Sequence, residues 1–187
     1  EYNFSGSENP ERLINYQDVY NFKKLGQYQS EAYDQLSSLA LKHKPRVIHS
    51  ASNFVVGMAG ARVAKDLGIQ SIYEIRGFWH LTQSTKREGY ENSDHYKLSE
   101  RFEIETAKNS DYVFAITNAV KEVLVENGVE EEKIFILPNA VDSEKFKFLE
   151  PDKSLKRELG IEDKTVIGYV GSFVEYEGLD LLLEACA

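Results

Sequence analysis

The sequence predicts an α/β protein built on a doubly wound parallel sheet, followed by an incomplete second domain of the same class. Three observations predict it. Helical and strand-like patterns alternate along residues 27–137, and regular alternation means parallel strands joined by crossover helices. The strand candidates are short apolar runs with little polar alternation, as strands covered on both faces are. After a charged stretch containing Pro151, a new apolar run, a Gly-Ser turn and a helical pattern follow.

The elements read in order as follows. Residues 1–25 carry no clear pattern. Over 27–44, Tyr28, Ala32, Leu36, Leu39 and Ala40 recur at helical steps until Pro45 stops the run. RVIHS (46–50) is a strand. FVVGMAGARVAKDLG (54–68) is a helix ending at Gly68, and its Gly57, Ala59, Gly60 and Ala61 permit close packing on a sheet. IQSIYEIR (69–76) is the next strand. Residues 77–93 read as a polar loop. A helix spans 94–109, capped by Ser93 or Asp94. YVFAI (112–116), NAVKEVLVENG (118–128) and KIFIL (133–137) are a strand, a helix and a strand. This first domain is expected over 1–142 and a linker over 143–164. A short helix over LKRELG, a strand over 164–171 and a last helix follow, with the second domain starting at 165. No stop signal closes that helix, so the chain reads as a fragment.

Composition narrows the partners. The 187 residues include 42% hydrophobic and 12% aromatic residues, enough for a packed core. The net charge of −9 comes from 22 basic and 31 acidic residues, so wholesale binding to nucleic acid, which needs a basic face, is excluded. The single cysteine, Cys186, rules out an internal disulfide and suits a reducing cytoplasm. No apolar run approaches the roughly 20 residues that cross a bilayer, and residues 1–20 lack a signal-peptide pattern. Peripheral contact with the inner membrane face stays open.

Ligands of open parallel sheets bind outside the carboxyl ends of the strands. That rule singles out His49 and Asn53, Arg76 and Gly77, Thr117 and Asn118, and Pro138, Asn139 and Asp142. His49 can act as a general base or be a satisfied loop residue. Arg76 can clamp a carboxylate or phosphate or pair with Glu74 or Glu103. Phe78 and Trp79 can stack on a ligand ring or cover the sheet. Pro138, Asn139 and Asp142 form a hinge, shaped by local backbone hydrogen bonds. Gly171 and Ser172 form a strand-to-helix turn, which either offers backbone N–H groups to an anion or simply needs glycine for its angles. Glu100, Glu103 and Glu105 read as a solvated helix face. His80 and His95 have no partner at ligand spacing, so no metal is assigned.

Three segments together resemble one family. ILPNAVDSEKF (136–146) resembles the interdomain motif of the GT-B glycosyltransferases of family 4. VIGYVGSFVEYEGLDLLLEA (166–185) resembles the strand, Gly turn and helix opening their donor domain. SIYEIRGFW (71–79) resembles the acceptor-domain strand and loop of a bacterial subgroup. The resemblance implies two Rossmann-like domains. It implies retaining transfer of a sugar from a nucleotide-diphosphate donor to a glycan or lipid-linked acceptor, as in polysaccharide biosynthesis, with no cofactor and no required metal. It places Gly171, Ser172, Phe173, Glu177 and Gly178 on the donor side, and His49, Asn53, Arg76 and Gly77 on the acceptor side, with no catalytic residue assigned. Ala140 stands where Gly is common, Glu177 where Lys is, and Arg76 where a His reaches the reacting sugar. The diphosphate-binding Arg and Lys, the paired Glu motif and the first acceptor-domain strand have no counterpart here, so the fragment alone is expected to be inactive. Two alternatives remain at this stage: a nucleotide-sugar epimerase or sugar phosphorylase of the same architecture, and a non-catalytic α/β binding module.

Overall fold

The computed structural model describes residues 22–186; the reading of the first 21 residues lies outside them. The chain divides into two units, one ending at Pro138 and one running from Asn139 onward.

In the first unit, helix α1 (Phe22–His43) leads into strand β1 (Val47–Ala51), helix α2 (Phe54–Leu67) and strand β2 (Gln70–Ile75). A short helix α3 (Trp79–Ser84) and a 3-10 turn (Tyr90–Asn92) occupy the segment expected to be a loop. A one-and-a-half-turn helix shows too few residues for its period to be legible. Helix α4 (Asp94–Asn109), strand β3 (Tyr112–Ala115), helix α5 (Asn118–Glu126) and strand β4 (Ile134–Ile136) complete the unit. Caps set the boundaries. The Ser93 hydroxyl accepts from Tyr96 N–H at 3.1 Å and opens α4, with Asp94 its first residue. Gly68, at φ +66°, closes α2 in the left-handed conformation that glycine adopts without strain.

The sheet is wholly parallel, in the order β1-β2-β3-β4. Strand order equals chain order, so every right-handed crossover steps the same way and lays its helix on the same face. That face carries Ile48, Ser50, Tyr73, Ile75, Val113, Ala115 and Ile134, all buried. A Cβ at Gly57 would come within 2.5 Å of the Tyr73 ring and 2.6 Å of the Thr106 methyl, and one at Gly60 would run into Ser50 Oγ. The small residues of α2 thus let its backbone settle on β1 and β2. Tyr73, Ile75, Val113, Ala115 and Leu124 are all fully enclosed in one cluster. A buried side chain of the size of Leu124 stabilises by about 1.5–3 kcal/mol. Helix α1 packs Leu36 and Ala40 beside α2 and Ile48.

The opposite face of the sheet is less fully covered by the described residues. There the strands present Val47, His49, Ile72, Glu74, Tyr112, Phe114 and Phe135. Val47, Tyr112 and Phe135 are 40%, 37% and 48% exposed, and no described helix of this unit lies on them. Side chains contact one another across it: Phe114 meets Phe135 and His49 edge-on, with centroids 6.4 and 5.7 Å apart.

The second unit contains helix α6 (Lys153–Glu158), capped by the Asp152 carboxylate, and helix α7 (Leu179–Ala185). The strand expected over 164–171 does not form. Val166, Ile167 and Val170 are 57%, 63% and 102% exposed. A strand is stabilised by a neighbour's hydrogen bonds and side chains, and no described segment of this unit supplies one. No described helix is long and apolar enough to cross a membrane.

Candidate functional site

The carboxyl ends of β1 and β2 lie side by side because the register pairs Ala51 with Glu74. Beyond Ala51 the chain turns through a cis Ser52–Asn53 peptide into α2. Asn53 is the α2 cap, its Oδ1 accepting Val55 N–H at 3.2 Å. Beyond Ile75 come Arg76 and Gly77, the latter at φ +153°, a region that favours glycine, with open space where a Cβ would be. Ser52 stitches the two ends together. Its N–H donates to the Glu74 carbonyl at 2.8 Å, and its hydroxyl donates to the same carbonyl at 3.1 Å. That hydroxyl also accepts Arg76 N–H at 2.8 Å.

On the open face, Glu74 joins two of the expected residues. Its Oε2 lies 2.8 Å from His49 Nε2, and its Oε1 accepts from Arg76 Nε at 2.6 Å. The hydrogen bond from Arg76, with help from the charges of Arg76 and His49, holds the Glu74 carboxyl below the usual range despite partial burial. Arg76 stays 63% exposed, so its terminal nitrogens face solvent. Of the two partners open to Arg76, the structure selects Glu74. Sequence reasoning had Glu74 only as that partner and missed its role as the hub. The signal was there: on adjacent parallel strands, alternation places His49 and Glu74 on one face.

Glu103 is a second correction. Read as part of a solvated face, it is 1% exposed. Tyr73 OH donates to its Oε2, and Phe54 N–H donates to its Oε1 at 3.3 Å. Burial pushes its carboxyl up to about 7, against the opposing effect of those two donors. From α4, Glu103 therefore grips the first turn of α2, next to the Ser52–Asn53 turn. Phe78 is buried in the core cluster and covers the sheet, while Trp79 is half-buried. His80 is buried beside it, 4% exposed.

The remaining expected residues have local roles within their own units. Thr117 caps α5 through its hydroxyl, which accepts Val120 N–H at 3.3 Å. Asp142 accepts Glu144 N–H at 3.0 Å on Oδ1 and makes a local turn. Gly171, Ser172 and Phe173 are exposed, with Tyr169 OH donating to the Ser172 carbonyl at 2.8 Å. Glu177 ends a 3-10 turn, and Gly178, at φ +63°, precedes α7. No group of three or more His, Cys, Asp or Glu that could hold a metal occurs among the described residues.

A family model described as Glycosyltransferase Family 4 matches residues 5–145. The chain is 31% identical over 78 residues to the uncharacterized glycosyltransferase MJ1069 of Methanocaldococcus jannaschii, covering 42% of this chain and 19% of that protein. It is 27% identical over 151 residues to the phosphatidylinositol N-acetylglucosaminyltransferase GPI3 subunit of Saccharomyces cerevisiae, covering 79% of this chain and 30% of that protein. The chain thus spans less than a third of either relative. Among solved structures, a UDP-GlcNAc 2-epimerase from Methanocaldococcus jannaschii overlaps 65% of this chain and 35% of its own, at 23% identity and TM-score 0.45. The S. aureus MnaA-UDP co-structure overlaps 60% and 27%, at 17% identity and TM-score 0.46. These partial overlaps carry no functional weight.

Proposed function

Because the chain belongs to glycosyltransferase family 4, we propose that it forms the acceptor-side part of an enzyme that moves a sugar from a nucleotide-diphosphate sugar to a glycan or lipid-linked acceptor. The single observation that carries the acceptor-side assignment is the His49–Glu74–Arg76 cluster at the carboxyl ends of β1 and β2. Each member has work to do there. With Nε2–H given to the carboxylate, His49 keeps Nδ1 as its basic nitrogen, available to take a proton from an acceptor hydroxyl. Glu74 orients the ring and stabilises the imidazolium that forms. Arg76, anchored through Nε, keeps its terminal donors for an anionic group such as phosphate.

The donor diphosphate falls to the second unit in this reading, at the Gly171–Ser172 turn, and retention of anomeric configuration follows the family. Domain closure would bring donor and acceptor together and exclude water. Turnover then needs the rest of the longer protein, and the reaction is placed in the cytoplasm at the inner face of the membrane. The test is a panel of nucleotide-diphosphate sugars against the chain extended through its second domain, read by thermal shift and then by transfer. A ligand at about 100 times its dissociation constant stabilises by roughly 2.7 kcal/mol. A shift with one nucleotide class, followed by sugar transfer that His49→Ala and Glu74→Ala both cripple, is the expected result. No shift with any donor, or turnover by the 187-residue chain alone, would overturn it.

A further inference from the structure

We propose that the small pocket behind the Ser52–Asn53 turn receives one hydroxyl group of the acceptor sugar, hydrogen-bonded to Nδ1 of His80. This rests on the acceptor-side reading above and names a subsite within it. The pocket is lined by Asn53, Phe54, Trp79, His80, Tyr90 and Ser99, among others. It lies where ligands of parallel sheets sit, beyond the carboxyl ends of β1 and β2.

Its size and chemistry narrow the occupant. The cavity volume is about 10 Å³, the room of one water-sized group. A phosphate or a whole ring does not fit. His80 is 4% exposed and its Nδ1 has no hydrogen-bond partner. The ring is held in place by Phe78 and by Tyr96, which meets it edge-on at 4.8 Å between centroids. The opposite wall is also fixed, since Tyr90 OH lies 2.6 Å from His95 Nδ1 and the Tyr90 carbonyl accepts from Ser93 Oγ at 2.6 Å. Burial lowers the His80 pKa to about 4, so the imidazole is neutral at physiological pH. Nδ1 of a neutral imidazole either donates or accepts, and a hydroxyl does both. A methyl group of the same size would leave Nδ1 unpaired. A cation would find no carboxylate among the lining residues. Trp79, half-buried, also lines this pocket.

The test uses the chain labelled with nitrogen-15 in its four histidines and methyl β-D-glucopyranoside as the probe. A saturable shift of the His80 ring nitrogens on titration, lost in His80→Gln while the His49 shift remains, is expected. The wild-type spectrum alone decides the matter if the variant fails to fold. A shift at His49 with none at His80 overturns the hydroxyl subsite and leaves the acceptor-side reading standing. A His80 Nδ1 already at its hydrogen-bonded position, and unmoved by the sugar, identifies a resident water and also overturns the subsite. No shift at either histidine overturns the subsite, and the donor panel then decides the wider reading separately.

Discussion

QSIYEI (70–75) and TVIGYV (165–170) are much alike on paper. Each is six residues long, with aliphatic residues and one tyrosine. The first is a central strand whose Tyr73 and Ile75 are fully enclosed, and the second is not a strand at all, with Val170 fully exposed. The difference lies in the neighbours. QSIYEI has β1 on one side, β3 on the other, and α2 and α4 packed over Tyr73. TVIGYV has no described strand in its own unit. A strand is therefore a property of a pair or a layer, and β-propensity measures how well a residue fits such a surface.

Three pairs of substitutions sharpen or break this contrast. The largest effect is expected from cutting the same side chain in both units. Leu124→Ala empties a fully enclosed site and should cost about 2–5 kcal/mol in urea unfolding. Leu181→Ala, at a residue 66% exposed, should stay within about 0.5 kcal/mol. Equal costs would show that the second unit has a core of its own.

The second effect is a pH dependence set by two buried groups of the first unit. Glu103 is raised from 4.5 to about 7, chiefly by burial. The folded chain therefore binds its proton more tightly than the unfolded one, and stability present below pH 4.5 is lost as pH rises toward 7. A shift of that size corresponds to on the order of 3 kcal/mol. His80 is lowered from 6.5 to about 4, also by burial. It remains neutral in the fold, and stability present above pH 6.5 is lost as pH falls toward 4. The two slopes oppose each other between pH 4.5 and 6.5, so the wild type should be nearly flat there. Glu103→Gln should expose a loss of stability toward acid, and His80→Gln a loss toward neutral pH. Denaturation midpoints across pH 4–7 test it, and unchanged slopes in either variant would refute the assignment.

The smallest effect comes from adding one methyl group. Gly57→Ala drives a Cβ against Tyr73 and Thr106 and should cost about 1–3 kcal/mol through overpacking. Gly168→Ala, in open space, should leave the melting temperature nearly unchanged. Equal melting temperatures for the two variants would mean that α2 does not sit as closely on β2 as the geometry requires.

Much of the fold was legible because local patterns are strong where elements are long. The helix over Phe54–Leu67 was readable from its small residues and from Gly68, and the strands of the first unit from their apolar runs. What could not be read was which face of an element meets another. Glu103 sits among exposed acidic residues along α4, and nothing in the local pattern distinguishes it from Glu105. Only the approach of Tyr73 and Phe54 makes it a buried, hydrogen-bonded carboxyl. Likewise, His49 and Arg76 were singled out by their positions after strands, but their junction through Glu74 depends on the β1–β2 register. The segment expected to be a loop hid α3 and with it the burial of His80.

By itself, the sequence determined the class of the protein: the order of the long helices and the strands of the first unit, several of their caps and stops, the parallel sheet that alternation demands and the family whose motifs it carries. These are local or one-dimensional properties, set by periodicity, turn chemistry and spacing. Only the tertiary structure decided that the four strands run in chain order with the described crossover helices on one face, that Glu103 is buried, that Glu74 links His49 to Arg76, and that TVIGYV forms no strand with any described segment. Each of those depends on groups far apart in the chain meeting or failing to meet, and burial and hydrogen bonding act between such groups.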